Sequence, residues 1–168
     1  KDIQDSKRDF CFISILCYGG LRASEITNIK IGDIRLNERE LYIVGKGEKF
    51  RTVVINNIMY FAIKDYLEER QQINTKNSYL FVSQKSINTK KPVNRNFCNR
   101  LLNKYKDACK LNELHPHLLR HFYGTNALHN AGYTIEQVAS QMGHSNINTT
   151  KGYLDTEKED MMALANKL

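Results

Sequence analysis

The hydrophobic pattern at the start of the sequence predicts two helices separated by a turn. Residues 9–18 are apolar and rich in Phe, Ile, Leu and Cys, which is typical of a buried helix. A Gly-Gly pair interrupts this run, so Arg22 is expected at a tight turn before a second helix over residues 24–30. Glu25 then falls in the first turn of that second helix, where the helix dipole favours a carboxylate.

The pattern changes from helical to β between residues 41 and 55. The runs 41–44 and 52–55 are rich in β-branched and aromatic residues, and they flank a glycine-containing loop. Two such runs around a short loop predict a β-hairpin. Residues 31–34 are expected to add a third strand.

Helical periodicity returns after the hairpin, over residues 57–73 and again over residues 94–110. Residues 85–92, between these two helices, are polar and basic without periodicity, which predicts an exposed loop. The second helix is basic and amphipathic. The apolar face expected for the first helix consists of Ile58, Phe61, Ala62 and Tyr66.

Start and stop signals predict further helices in the C-terminal part. Pro116 suits a first helical position, and Thr134 with Gln137 forms a capping-box pattern before the next apolar stripe. Gly143 is expected to end that helix, and a short helix is expected to carry Tyr153. The predicted fold class is therefore α+β and mainly α, with a small antiparallel three-stranded sheet at one edge.

The charge balance favours a polyanionic partner. The 168 residues suit one domain, and 25 Lys and Arg against 18 Asp and Glu leave a formal net charge of +7. A basic surface most often serves nucleic acid. A modest excess of lysine that only keeps a protein in solution is the alternative interpretation.

The cysteines give no sign of a metal site or a disulfide framework. None of the four lies in a C-x-x-C pair or at a ligand spacing from a histidine, and they are expected to be reduced core or helix residues. We find neither a signal peptide nor an apolar run near the ~20 residues of a membrane span. These features predict a cytoplasmic protein without membrane contact. The cysteines are Cys11, Cys17, Cys98 and Cys109.

Six side chains of the types that bind phosphate or attack it lie in short, separate motifs. They are Arg22, Lys46, His117, Arg120, His144 and Tyr153. Arginine offers a planar, permanently charged fork that matches phosphate oxygens, and histidines add further donors. A tyrosine can supply an oxygen nucleophile. No acidic metal cluster accompanies them, so the set predicts chemistry on a phosphodiester without a metal or another cofactor.

Each of these residues also has a simpler interpretation. Arg22 alone fits a surface arginine at a helix start, and His144 alone fits a histidine at a helix end. Glu25 alone fits a partner of the helix dipole. The predicted hairpin carries Lys49 and Arg51 besides Lys46, and spacing alone does not separate the three.

Three neighbouring histidines have two interpretations, a metal site or a phosphate site. His115, His117 and His121 lie within seven residues of one another. No Cys or carboxylate is spaced to complete a metal site, and His117 shares a helix face with Arg120 at i, i+3. This spacing favours phosphate binding.

The order, spacing and context of the six residues resemble the tyrosine recombinase (phage integrase) family, from about Arg8 to Tyr153. The motifs that carry the resemblance are Gly20-Leu21-Arg22-Ala23-Ser24-Glu25, Gly45-Lys46-Gly47, His117-Leu118-Leu119-Arg120, Gly143-His144, and Tyr153 nine residues after His144. The sequence departs from the family where Gly19-Gly20 replaces the usual Thr-Gly pair before Leu-Arg.

The resemblance implies a mechanism and a role for each residue. Tyr153 would attack the phosphodiester to leave a 3′-phosphotyrosyl bond and a free 5′-hydroxyl, and Lys46 would protonate the leaving oxygen. His117 would assist Tyr153 and bind the phosphate, and Glu25 would orient the site by holding Arg22 or a histidine. Arg22, Arg120 and His144 would bind the phosphate oxygens. Attack by a second 5′-hydroxyl would reseal the strand without ATP or metal.

The resemblance also implies partners and a domain organisation. The expected partner is double-stranded DNA, with a monomer in solution, a tetramer on DNA, and accessory DNA-bending proteins as further partners. Residues 1–155 would form the catalytic domain, and residues 156–168 a C-terminal helix packed in cis or on a neighbouring subunit. The family's N-terminal core-binding domain is missing, so a fragment is expected. The expected DNA-binding residues are Lys49, Arg51, Arg95, Arg100 and Lys104.

The leading interpretation is site-specific recombination, integration or excision, by a bacterial, phage or mobile-element integrase. An Xer-type dimer resolvase and a type IB topoisomerase share the chemistry and are the alternatives among enzymes. A non-catalytic DNA-binding module is the alternative of another class, but it leaves Tyr153, His144 and both motif arginines unexplained.

Overall fold

The computed structural model describes residues 5–45, 47–106, 114–144 and 148–150. Lys46, Cys109 and Tyr153 lie outside the described residues, as do the predicted helix end at 107–110 and the C-terminal helix at 156–168. The elements are α1 (Asp5–Gly19), α2 (Ala23–Thr27), a 3-10 turn (Ile31–Asp33), β1 (Ile34–Arg35), β2 (Glu40–Val44), β3 (Phe50–Val54), α3 (Asn57–Gln71), α4 (Arg95–Lys106), α5 (Pro116–His129) and α6 (Ile135–Met142). The predicted class, mainly helical with a small antiparallel sheet, is confirmed.

The sheet has the strand order β1-β2-β3, and both pairings are antiparallel. The predicted hairpin is confirmed, with Leu41 opposite Val53. The predicted third strand at 31–34 is wrong over most of its length. The carboxylate of Asp33 accepts a hydrogen bond from the backbone N–H of Lys30 at 2.8 Å and stabilises a 3-10 turn there. The strand therefore begins only at Ile34.

Helix α1 is the centre of the hydrophobic core, where it packs against α3 and α5. The ring of Phe12 meets Phe81 edge-on at 4.8 Å and Phe97 at 5.5 Å. The thiols of Cys11 and Cys98 are free and buried, and burial raises the pKa of Cys98 to about 12. Within the described residues, no helix is both long and apolar enough to cross a membrane.

The predicted apolar face of α3 is only half correct. Ala62 and Tyr66 are buried, but the side chains of Ile58 and Phe61 are exposed. The other inward positions are taken by Met59, Ile63 and Arg70. The first turns of α3 are apolar on almost every side, so periodicity did not separate two faces that differ by one position.

Helix α4 is tied to α1 by a buried carboxylate. Asp9 accepts hydrogen bonds from Lys104 Nζ and Tyr105 Oη, both at 2.9 Å, and from the guanidinium of its neighbour Arg8. The inward positions of α4 include Phe97. These contacts hold α4 at the side of the molecule where α2 and α5 also lie.

The local signals of the C-terminal helices are confirmed. Pro116 is the first residue of α5, and Thr134 and Gln137 form the capping box of α6. Gly143 ends α6 in a left-handed conformation with φ of 66°. Helix α6 packs on α5 and β3, and the carbonyls at its C-terminal end accept hydrogen bonds from Arg22 and Arg120.

Candidate active site

The first motif arginine is placed by a glycine turn and held by a neighbouring carboxylate. Gly20 has φ of 62°, which turns the chain sharply between α1 and α2. Arg22 is the N-cap residue of α2, and its backbone N–H donates to Glu25 Oε2 at 2.8 Å. The Arg22 Nη1 group donates to Glu25 Oε1 at 2.9 Å. One carboxylate therefore fixes both the backbone and the side chain of Arg22.

Arg51 reaches the same carboxylate from strand β3. Its Nη1 and Nη2 groups donate to the two oxygens of Glu25 at 2.9 and 2.8 Å, and its Nε donates to the backbone oxygen of Gln141 at 2.8 Å. The Arg51 side chain is only 11% exposed. This inward orientation places Arg51 within the site, and its expected DNA contact stays a prediction.

Arg120 is buried between the glycine turn and the end of α6. Its Nη1 group donates to the backbone oxygen of Gly20, and its Nη2 group donates to that of Met142 at 2.8 Å. The Arg120 Nη1 group also lies 4.0 Å from Glu25 Oε2. Gly20 and Met142 thus set the position of this guanidinium.

The C-terminal end of α6 receives three guanidinium groups on consecutive carbonyls. Arg51 binds the oxygen of Gln141, Arg120 that of Met142, and Arg22 that of Gly143, the last at 3.3 Å. The last carbonyls of a helix lack intrahelical partners and carry partial negative charge. Together with the Glu25 carboxylate, they offset the mutual repulsion of three closely placed cations.

His144 follows this helix end directly. Its Nδ1 atom lies 2.8 Å from the hydroxyl oxygen of Thr150, a residue that is fully buried. Burial lowers the pKa of His144 to about 4, and the positive charges of Arg120, Arg22 and Arg51 add to this effect. The His144 imidazole is therefore neutral at pH 7 in the free protein.

His117 lies at the entrance of the site, on the first turn of α5. Its side chain is exposed, and its ring stacks at 6.4 Å on that of His115. His115 is the N-cap residue of α5, and its Nδ1 accepts a hydrogen bond from the Leu118 N–H at 3.1 Å. Among the described residues, no group of three or more His, Cys, Asp or Glu is placed to hold a metal ion.

Four of the six motif residues line one cleft of about 540 Å³. They are Arg22, His117, Arg120 and His144. A second cleft of about 1140 Å³ also contacts Arg22 and His144, and it extends along the β2–β3 hairpin. The two remaining motif residues, Lys46 and Tyr153, are outside the described part of the chain.

The expected DNA-binding residues are distributed around these clefts. Arg95 lines the first cleft, and Lys49 lines the second. Arg100 is exposed on α4. Lys104 forms the ion pair with Asp9, although half of its side chain remains exposed.

Sequence reasoning missed the inward position of Arg51 and the contact between Thr150 and His144. A signal for Arg51 was available, because side chains alternate between the two faces of a strand. Val53 is buried two residues away on β3, so the same alternation places Arg51 on the inner face. No comparable local signal pointed to Thr150.

Comparisons with a family model and with curated relatives indicate the same protein family. Residues 1–160 match the phage integrase family. The TnP I resolvase of Bacillus thuringiensis is 38% identical over 167 residues, which cover 98% of this chain and 54% of the resolvase. The tyrosine recombinase XerC of Staphylococcus haemolyticus is 32% identical over 163 residues, covering 96% of this chain and 53% of XerC. This chain spans about half the length of these curated relatives.

A solved structure agrees with the sequence relatives. The crystal structure of XerA recombinase superposes with a TM-score of 0.81 at 27% identity. The match covers 98% of this chain and 58% of the XerA chain. The arrangement of α1–α6 around the small sheet is therefore shared with XerA.

Proposed function

This chain belongs to the phage integrase family, and from that premise we propose that it cleaves and rejoins DNA as the catalytic domain of a tyrosine recombinase. The single observation that carries the proposal is the convergence of Arg22, His117, Arg120 and His144 on one cleft. These residues come from the α1–α2 turn, from α5 and from the end of α6. Their donors suit the two non-bridging oxygens of a phosphodiester.

The cleft suits a pentavalent phosphorus transition state. The Arg22 and Arg120 guanidinium groups are held in place before substrate arrives, by Glu25 and by backbone carbonyls. Donors held in this way need no reorganisation when charge develops, and removal of one such donor typically costs about 3–4 kcal/mol of activation free energy. The neutral His144 would donate from one ring nitrogen while Thr150 contacts the other.

The proposed reaction conserves the number of phosphodiester bonds. The Tyr153 hydroxyl, whose ordinary pKa is about 10, loses its proton with the assistance of His117 and attacks phosphorus. The bond between phosphorus and the 5′-oxygen breaks, and Lys46 protonates that oxygen. A 3′-phosphotyrosyl bond and a 5′-hydroxyl result, and attack by another 5′-hydroxyl reverses the step.

We propose double-stranded DNA as the substrate, a monomer in solution and a tetramer on DNA. Residues 1–155 would act as the catalytic domain, and the C-terminal segment would pack in cis or on a neighbouring subunit. A second candidate function is resolution of joined DNA molecules, which is favoured by the similarity to a relative named a resolvase. The chemistry at the cleft is the same for either outcome.

Covalent trapping tests this proposal. The protein is incubated with an end-labelled pool of nicked duplexes that carry candidate recombination sites, in the presence of a chelator. The nick lets the short 5′-hydroxyl fragment diffuse away, so a cleaved complex accumulates and migrates slowly on a denaturing gel. We expect such a band with the wild type and none with Tyr153→Phe. Retention of the DNA on a native gel without any covalent band would instead support a binding module.

A further inference from the structure

Arg51 connects three elements of the active site through one buried side chain. It extends from β3, and both of its Nη groups donate hydrogen bonds to the Glu25 carboxylate on α2. Its Nε donates to the Gln141 carbonyl at the end of α6. The two parallel hydrogen bonds to Glu25 are the bidentate geometry in which arginine is strongest and most directional. Arg51 is not part of the motifs quoted above for the family resemblance.

Arg51 helps to keep the pKa of the buried Glu25 carboxyl low. Burial raises the pKa of the Glu25 carboxyl, but the hydrogen bonds and charge of Arg51, together with those of Arg22, outweigh it and lower the pKa overall. Glu25 is only 6% exposed. A buried carboxylate that lost Arg51 would keep its desolvation cost and lose its strongest partner.

The two arginines share the oxygens of Glu25. Oε1 accepts from the Nη1 groups of both Arg22 and Arg51, each at 2.9 Å. Oε2 accepts from Arg51 Nη2 and from the Arg22 backbone N–H, each at 2.8 Å. Because the fork of Arg51 sets the plane of the carboxylate, it also sets the direction from which Arg22 is held.

Arg22 and Arg51 differ in how far their side chains are exposed to the clefts. The Arg22 side chain is 43% exposed and lines both clefts, whereas the Arg51 side chain is only 11% exposed and borders the second cleft alone. The hairpin backbone also lies close to the pair: a Cβ added at Gly45 would be 3.7 Å from Arg51 Nη1 and 3.8 Å from Glu25 Oε1. Arg22 is thus placed to meet a phosphate, and Arg51 to hold the group behind it.

We propose that Arg51 is a positioning residue for DNA cleavage, which acts through Glu25 to aim the Arg22 guanidinium at the scissile phosphate. The inference rests on the proposed function, since it assumes that the cleft binds a phosphodiester. A misplacement of about 1 Å at a reacting centre can reduce a rate about 100-fold. We therefore expect a loss of cleavage rate of about 10- to 100-fold in Arg51→Gln.

The test measures single-turnover cleavage of pre-bound nicked duplexes that differ at the scissile phosphate. One duplex carries the natural phosphodiester, and a second carries a methylphosphonate, which lacks the negative charge that Arg22 would neutralise. A third carries a 5′-bridging sulfur, whose departure needs no proton. If Arg51 acts through Arg22, the defect of Arg51→Gln shrinks on the methylphosphonate and persists on the sulfur-containing duplex.

Matched variants separate positioning from folding. Arg51→Lys keeps the charge but not the fork, so its cleavage rate should fall nearly as far as that of Arg51→Gln. Arg70→Gln removes another buried arginine, one that donates to the Asn77 and Leu80 carbonyls and lines neither cleft. Any defect of Arg70→Gln should be equal on all three duplexes and should follow the fall in its thermal midpoint.

Three results would overturn the inference. These are an equal loss for Arg51→Gln on every duplex, rescue by the bridging sulfur alone, or full activity of Arg51→Lys. If Arg51→Gln does not fold, the same comparison is made with Arg51→Lys. Failure of the wild type to form the Tyr153 adduct would reject the proposed function itself, so the two failures are distinguishable.

Discussion

The Nδ1 atom of His144 lies 2.8 Å from the Thr150 hydroxyl oxygen, and this contact orients the imidazole toward the cleft. A hydroxyl that donates to Nδ1 leaves the proton of a neutral imidazole on Nε2. In that tautomer Nε2 is a donor, as phosphate binding requires. Thr150 is fully buried, so water does not readily take its place.

Replacement of Thr150 by valine should therefore slow DNA cleavage. Valine keeps the shape of threonine but loses the hydroxyl, so both the tautomer and the ring orientation of His144 are less restricted. We expect a decrease of about 10-fold in the single-turnover rate, which corresponds to about 1.4 kcal/mol. Thr125→Val is the matched control, because Thr125 contacts His121 at 3.4 Å outside both clefts. An unchanged rate in Thr150→Val would contradict the role given to the hydroxyl.

Protonation of His144 should destabilise the protein in mild acid. The pKa of His144 is about 4 in the folded protein, below the ordinary value of 6.5. The unfolded chain therefore binds more protons between these values, so this histidine makes stability fall as the pH decreases from about 6.5 towards 4 and contributes no slope above.

The difference between wild type and His144→Gln isolates this contribution from that of the carboxylates. We expect the thermal midpoint of the wild type to fall more steeply between pH 7 and pH 5 than that of His144→Gln. Parallel curves for the two proteins would show that burial of His144 does not disfavour its charged form.

Gly20→Ala should be strongly destabilising. Gly20 has φ of 62°, and a Cβ there would lie 2.5 Å from the ring of Tyr123. Left-handed backbone strain and overpacking together should lower the free energy of unfolding by about 2–4 kcal/mol. The Gly20 carbonyl also accepts a hydrogen bond from Arg120, so the cleavage rate should fall as well. Urea unfolding measures the first effect, and Gly32→Ala is the control because a Cβ there meets nothing within 4 Å.

Arg95→Gln should weaken DNA binding in a salt-dependent manner. Arg95 lines the cleft beside Arg22 and His117, so we expect it to contact a phosphate. Loss of one phosphate contact should reduce the slope of log affinity against log salt concentration by about 1. Lys64→Gln removes an exposed charge from α3 and should leave the slope unchanged. Equal slopes for Arg95→Gln and the wild type would show that Arg95 does not contact a phosphate.

Features that depend on nearby residues were predictable from the sequence. The Pro116 helix start, the Thr134–Gln137 capping box and the Gly143 helix end all follow from interactions within a few residues. The hairpin follows from two β-rich runs around a short loop. Predictions failed where two choices were locally equivalent, as for Ile58 against Met59 on α3. The prediction of a strand at 31–34 failed because the Asp33 side chain accepts a hydrogen bond from the backbone N–H of Lys30.

The sequence by itself determined the residue types of the site and, through the family motifs, which of them to consider. Only the tertiary structure decided how they are held. Glu25 and Arg51 are 26 positions apart, Arg51 and Gln141 are 90 apart, and Arg22 and Gly143 are 121 apart. The partner of a guanidinium depends on which acceptors the packed helices bring within about 3 Å of it. Local propensity does not encode such distances, because they arise when burial of the α1, α3 and α5 faces fixes where each helix ends.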